Sequence, residues 1–232
     1  WLNSGMWVRE RTEEQTELEY QMRNWYYFNW LSGDHIVEQG IHQHDIANWV
    51  LGDHPISAQG MGGREIRKGK DHGQIFDHHF IEFTYPSGAI ISAQFRQQPG
   101  CLRKVNEIFQ GCNGSVDFDL GEIKDEEKNN IEIKYEKNDE FQTEQNELFE
   151  SIRKKRERIN DVEYAANSTL TAIMGRMASY SGKVITWEQA LNSQENLVPD
   201  DFKYFDDDPP PSAIPDENGN YPIPVPGKTK IQ

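Results

Sequence analysis

The stretch Gly33–Leu51 reads GDHIVEQGIHQHDIANWVL. Ile36, Val37, Ile41, Ile46, Trp49 and Val50 recur near the helical period, so the spacing predicts one amphipathic helix. Gly52 follows as its C-terminal stop. Gly40 in the interior costs about 1 kcal/mol relative to Ala. Such a glycine marks close approach by another backbone or by a ligand. His35, Glu38, His42 and Asp45 are spaced three, four and three apart, which places them on one helix face. A carboxylate four residues before a histidine can orient the imidazole and raise its pKa. That pair suits the passage of a proton to or from a hydroxyl. The alternative is a polar face with ordinary hydrogen bonds. A second alternative is a metal: His35, Glu38 and His42 could hold zinc with positions open for water, although their spacing matches no established metal motif.

Upstream, residues 1–20 read as polar and irregular, and Asn24–Leu31 (NWYYFNWL) is densely aromatic. Its first role is packing. Aromatic faces also stack on sugar rings, so Trp25 and Tyr26 are candidates to line a sugar-sized cleft. Downstream of Pro55 the pattern shortens to alternating runs. Ile56–Met61, Phe76–Tyr85, Ala89–Gln97 and Val105–Gly111 read as strands, with a hairpin at Pro86-Ser87-Gly88. A further pair, Ser115–Leu120 and Ile131–Tyr135, is expected to flank the turn near Asn129-Asn130. Strands joined by tight turns imply an antiparallel sheet. Helices are expected near Glu144–Arg156 and Val162–Tyr180, and Thr186-Trp187-Glu188-Gln189 reads as a capping box that opens a short third one. From Asp206 the chain is acidic and proline-rich, an extended tail on the surface or an arm to a neighbour.

The net charge is −15 over 232 residues. Phosphate backbones and anionic membranes are bound through Lys and Arg, so neither nucleic acid nor membrane is an expected partner. The basic run Arg153–Arg158 sits among acids and reads as a solvated helix face. No stretch approaches the ~18 apolar residues of a membrane span. Two cysteines, Cys101 and Cys112, are too few for a disulfide framework or a thiolate zinc site. Gly60-Met61-Gly62-Gly63 lacks the G-x-G-x-x-G spacing and no helix pattern follows it, so no dinucleotide site is expected in this chain. Asp77-His78-His79 begins a strand, where neighbours point to opposite faces; at most one of the two histidines can share a site with Asp77. The chain opens on Trp1 rather than Met, and it is expected to be processed or part of something longer. Any leader would lie upstream, so the compartment is left open.

Val37-Glu38-Gln39-Gly40-Ile41-His42, continuing to Asp45 and Trp49-Val50-Leu51-Gly52, resembles the substrate-domain signature of the Gfo/Idh/MocA oxidoreductases, L-D-x-G-x-H-x-x-D-x-x-x-W-L-x-G. Arg23–His35, Gly60–Arg64, Phe95–Gly100, Ser168–Lys183 and Tyr221–Gly227 resemble a bacterial subgroup of that family. The resemblance covers nearly the whole chain. It implies an α+β fold, an open and mostly antiparallel sheet with helices packed on one face. Residues 1–205 would be the C-terminal substrate domain and 206–232 the tail. It also implies a separate N-terminal Rossmann domain that holds NAD or NADP and supplies a lysine from an E-K-P motif. This chain has neither the glycine fingerprint nor E-K-P, so it reads as the substrate half alone, with no cofactor of its own. Family members act on a sugar or cyclitol hydroxyl, and some form homo-oligomers through the sheet face.

By this resemblance His42 is the proton-transfer residue and Glu38 its partner, in the position where the family usually has Asp. His35, Asp45, Trp25, Tyr26 and Arg96 are the candidate substrate contacts. Other readings of the same fold are an NAD-dependent glycoside-cleaving enzyme and a non-catalytic sugar-binding or oligomerisation module. Metal-dependent lyase chemistry at His35, Glu38 and His42 is a further alternative.

Overall fold

Thr16 opens the first helix in the computed structural model, which describes residues 1–2, 7–134, 138–198, 208–209 and 213–231. The boundary expected between residues 205 and 206 lies outside them, as does Tyr135 at the end of the last expected strand. The Thr16 hydroxyl accepts from the Glu19 N–H at 3.2 Å, and the Glu19 carboxylate accepts from the Thr16 N–H at 2.9 Å. This capping box starts α1 (Glu17–Arg23) inside a region expected to be irregular. Trp25–Tyr27 form a 3₁₀ turn. Three helices follow: α2 (Asn29–Ser32), α3 (His35–Glu38) and α4 (Ile41–Leu51). Then come β1 (Ser57–Gly63), β2 (His78–Thr84), β3 (Ile90–Arg96), β4 (Ile108–Gly111), β5 (Gly114–Asp117) and β6 (Glu122–Asp125). The chain continues through α5 (Glu140–Ile152), α6 (Val162–Ser181), β7 (Ile185–Thr186) and α7 (Trp187–Leu191). Thr186 and Gln189 form the expected capping box of α7.

Contacts divide the chain into two units, residues 1–104 with 166–232, and residues 105–165. The first unit is an open antiparallel sheet in the order β3-β2-β1-β7. Its fold class is α+β, as expected. The hairpin between β2 and β3 turns at Pro86-Ser87-Gly88, where Gly88 has φ +85°. Along β2 burial alternates strictly: His79, Ile81 and Phe83 are buried, while His78, Phe80, Glu82 and Thr84 are half-buried. The buried face packs on Ile36, Met174, Met177, Ala178 and Ile185. Ile81 and Phe83 are fully buried, and each such side chain contributes about 1.5–3 kcal/mol. Gly175 of α6 lets the helix approach, because a Cβ there would lie 2.8 Å from the Phe83 ring. A second apolar cluster joins Tyr20, Tyr26, Tyr27, Phe28 and Ile75 to Ala213 and Tyr221. The described part of the proline-rich tail therefore returns to its own unit. Its Tyr221 hydroxyl donates to Glu17 at 2.6 Å.

The second unit carries the antiparallel sheet β4-β5-β6 and α5. Its third strand is Glu122–Asp125, not the expected run from Ile131. Asp125 accepts from the Asn129 N–H at 2.8 Å and Lys128 takes φ +68°, so the chain turns straight after β6. Arg153–Arg158 are solvated, but they lie beyond the end of α5 rather than on a helix face. Among the described residues no helix is long and apolar enough to cross a membrane.

Candidate active site

His35–Leu51 forms two helices, α3 and α4, not one. Gly33 takes φ +73° and ends α2. Asp34 then caps α3 with its carboxylate 2.5 Å from the His35 N–H, at φ +75°, an unusual conformation for a residue with a Cβ. At the other end of α3 the N–H groups of Gln39 and Gly40 both donate to the His35 carbonyl, at 3.1 and 3.0 Å. The second is an i to i−5 bond, a wide turn of the kind that interrupts helices at functional sites. Gly40 is required there. A Cβ would fall 2.2 Å from the Ile36 carbonyl oxygen and 2.8 Å from the Phe95 ring of β3.

The break separates the four polar residues that one continuous helix would align. His35 is 2% exposed, with Nδ1 2.8 Å from Asp34 Oδ1. Glu38 is half-buried, and its Oε2 is buried with no hydrogen bond. Burial raises the proton affinity of Glu38, while a hydrogen bond with Gln39 and the charge of His42 oppose the rise. His42 is exposed on α4. Glu38 and His42 are thus electrostatic neighbours at the surface, and His35 lies behind them. Asp45 accepts from the Ser168 hydroxyl at 2.7 Å and ties α4 to α6. Asn48 continues that seam, donating to Thr171 at 3.2 Å and accepting from the Tyr85 hydroxyl at 2.7 Å. His44, which drew no expectation, is the core histidine of α4. It packs on Phe83 and Phe95, and burial pushes its pKa down to about 3. The expected apolar face is corrected at its end: Trp49 is 69% and Val50 46% exposed.

The aromatic stretch divides in the same way. Trp25 keeps 37% of its surface exposed and stacks on Trp7 with ring centroids 5.8 Å apart. Tyr26 is 1% exposed and its hydroxyl accepts from Gln97 Nε2 at 2.6 Å. Burial raises its proton affinity, Gln97 and Arg67 oppose, and the charge of Glu38 adds to the rise. Tyr26 is thus buried, with its hydroxyl engaged by Gln97. Phe95 points to the helix side of the sheet, so its neighbour Arg96 points to the other side, away from Glu38 and His42.

A buried polar network lies behind α3. Asp34 Oδ2 accepts from the Tyr180 hydroxyl at 2.5 Å and from the Phe76 N–H at 2.9 Å, and lies 3.4 Å from His79 Nε2. Burial would raise the Asp34 carboxyl, but the charges and hydrogen bonds of His79 and His35 hold it well below its usual range. Burial lowers His35 to about 4 against the pull of Asp34. Arg67, 2% exposed, donates to the Phe76 carbonyl and to Gln97, and stands 3.4 Å from His35 Nδ1. Asp77 Oδ2 accepts the N–H groups of Glu65, Ile66 and Arg67, the first two at 2.7 Å, which sets the loop that carries Arg67. Asp77 stands just before β2, outside the strand alternation, and pairs with its neighbour His78 at 2.7 Å, while His79 points to the buried face. Asp34 and Arg67 went unnoticed in the sequence. Asp34 has the local signature of an N-cap, a short acid just before a helix, but nothing local marks Arg67.

The family model for the oxidoreductase family, C-terminal alpha/beta domain, GFO_IDH_MocA_C, matches residues 7–198. The chain belongs to this family. No curated relative matches the sequence. Among solved structures, aldose-aldose oxidoreductase from Caulobacter crescentus, complexed with glycerol, matches with a TM-score of 0.55 at 17% identity, over 70% of this chain and 50% of that one. Myo-inositol 2-dehydrogenase from Lactobacillus plantarum matches at 0.52 and 17% identity, over 67% and 49%. GenD2 from gentamicin A biosynthesis, in complex with NAD, matches at 0.50 and 15% identity, over 70% and 50%. The chain thus spans about half the length of these relatives, and the likeness is one of fold.

In this Gfo/Idh/MocA domain the run Gly60-Met61-Gly62-Gly63 is part of β1 rather than a loop. Gly60 and Gly62 lie within β1, where a Cβ would meet the Phe80 carbonyl oxygen at 2.3 Å and the His78 carbonyl oxygen at 2.9 Å. The glycine run serves close strand pairing, not phosphate. The metal alternative of His35, Glu38 and His42 is not assembled either. Among the described residues the group with metal-ligand proximity is Asp34, His35 and His79, whose ligating atoms lie within 4.8 Å of one another. The Arg67 guanidinium beside His35 opposes a second cation there, and both Asp34 oxygens already accept hydrogen bonds.

Proposed function

We propose that this domain is the substrate-binding and oligomerisation half of an NAD(P)-dependent oxidoreductase acting on a sugar or cyclitol hydroxyl. The observation that carries the reading is the pair at the helix break: an exposed His42 beside a half-buried carboxylate, Glu38, of raised proton affinity. His42 receives the hydroxyl proton as the substrate is oxidised, and Glu38 positions and balances it. Trp25 offers an exposed ring to a sugar face. The redox chemistry belongs to NAD or NADP held on a separate Rossmann domain, and the domain alone is inactive. The names of the aldose and inositol enzymes, and the NAD bound to GenD2, support this reading.

In a full-length protein carrying this domain, His42→Ala should lower turnover by about 10²-fold or more. Turnover within a few-fold of the parent would exclude His42 as the proton acceptor. Calorimetry of the domain alone with NAD should show no binding heat, whereas saturable binding would place the cofactor site in these residues after all.

A further inference from the structure

We propose that the face of the sheet opposite the helices carries a second site, a pocket for a small oxyanion, either a carboxylate or a phosphate, centred on Arg96 and His78. A cavity of about 360 Å³ opens there, between β2 and β3 at their His78 and Arg96 ends. The two residues are direct partners in the register, so their side chains stand side by side on one face. On the other flank the partner of His78 is Gly63, which leaves the imidazole uncovered. A Cβ at Gly63 would lie 3.4 Å from His78 Nε2.

Both groups are fixed in orientation before any ligand arrives. His78 Nδ1 is committed to Asp77 Oδ1 at 2.7 Å, so Nε2 is the nitrogen available to the pocket. Asp77 is itself anchored by three backbone N–H groups and by Gln98 Nε2 at 3.2 Å. Arg96 donates one Nη to the Leu102 carbonyl at 3.0 Å, and its guanidinium centre lies 5.1 Å from the Trp1 ring. Its Nε is buried and makes no hydrogen bond to the protein. A guanidinium held in place at one Nη presents a planar charged group that suits the planar oxygens of carboxylate or phosphate. In a chain of net charge −15, such a place is where an anion would be drawn. The site is independent of the Glu38–His42 reading, since it lies on the other face of the sheet.

The test is titration of the protein with inorganic phosphate and, separately, with succinate, following the Arg96 Nε–H and His78 imidazole resonances by NMR. The expected result is saturable shifts at both residues with at least one anion, and the tighter of the two identifies the source. Arg96→Met should weaken binding by about 10-fold or more, and Arg96→Lys, which keeps the charge but loses the fork, by less. Should Arg96→Met fail to fold, Arg96→Lys and His78→Gln carry the same comparison. No saturable shift with either anion, or binding undiminished in these variants, overturns the proposal.

Discussion

Glu38 is a residue placed at a cost. Its carboxylate is half-buried, one oxygen has no hydrogen bond, and burial raises its proton affinity against the opposing influence of Gln39 and His42. A carboxyl whose folded pKa lies above its unfolded value stabilises fully below the unfolded pKa, about 4.3. It loses that contribution as pH rises through the folded value. At neutral pH the ionised group is therefore a net burden. Glu38→Gln should raise the melting temperature at pH 7 by about 1–3 °C, and the gain should vanish in scans below pH ~4. A gain that persists unchanged at low pH would mean that the ionised carboxylate is not its cause. Asp34 is the opposite case. Its charge is held by His79, His35, Tyr180 and a backbone N–H, so its contribution is present above the unfolded carboxyl pKa and is lost only in acid. The adjacent α3 joins a carboxylate that gains from ionisation to one that pays for it.

At the scale of the element, the break between α3 and α4 decides what the histidines do. One continuous helix would put His35 and His42 on one face. The wide turn at Gly40 instead buries His35 and leaves His42 exposed. Gly40→Ala should destabilise the domain by about 1–3 kcal/mol in urea unfolding, because the new Cβ collides with the Ile36 carbonyl oxygen and the Phe95 ring. Turnover of a full-length protein should fall as well, since relief of the collision moves Glu38 relative to His42. Unchanged stability would show that the turn opens freely and does not hold the pair. The interior glycine was readable as a close approach, but its partner was not. Phe95 lies 55 positions further along the chain (95 − 40), and only the β2–β3 register brings it to Gly40.

For the whole molecule, the first unit has, among the described residues, helices packed on one face of its sheet. The other face exposes Met61 at 68% and Ile90 at 61%. We propose this face as the oligomerisation surface, with Ile90 at the end remote from Arg96. Ile90→Arg should shift sedimentation from oligomer to monomer and leave the melting profile of the monomer intact. A wild-type protein that sediments as a monomer at high concentration would remove the basis for this surface.

The sequence by itself determined the local periods: the sheet strands of β1 to β3, the hairpin at Gly88, α6 and the α7 cap, together with the family. These follow from alternation, helical spacing and turn chemistry, which act over a few residues. Strand parity also separated His78 from His79, and the same parity, applied to Phe95 and Arg96, would have taken Arg96 out of the helix-side site. Only the tertiary structure decided the rest. The network of Asp34, Arg67, Asp77 and His79 joins residues from a helix cap, a loop and a strand. Each is an ordinary polar residue in its own segment. Which of them meet depends on the path of the loop between β1 and β2 and on how closely Gly40 lets the helix approach the sheet.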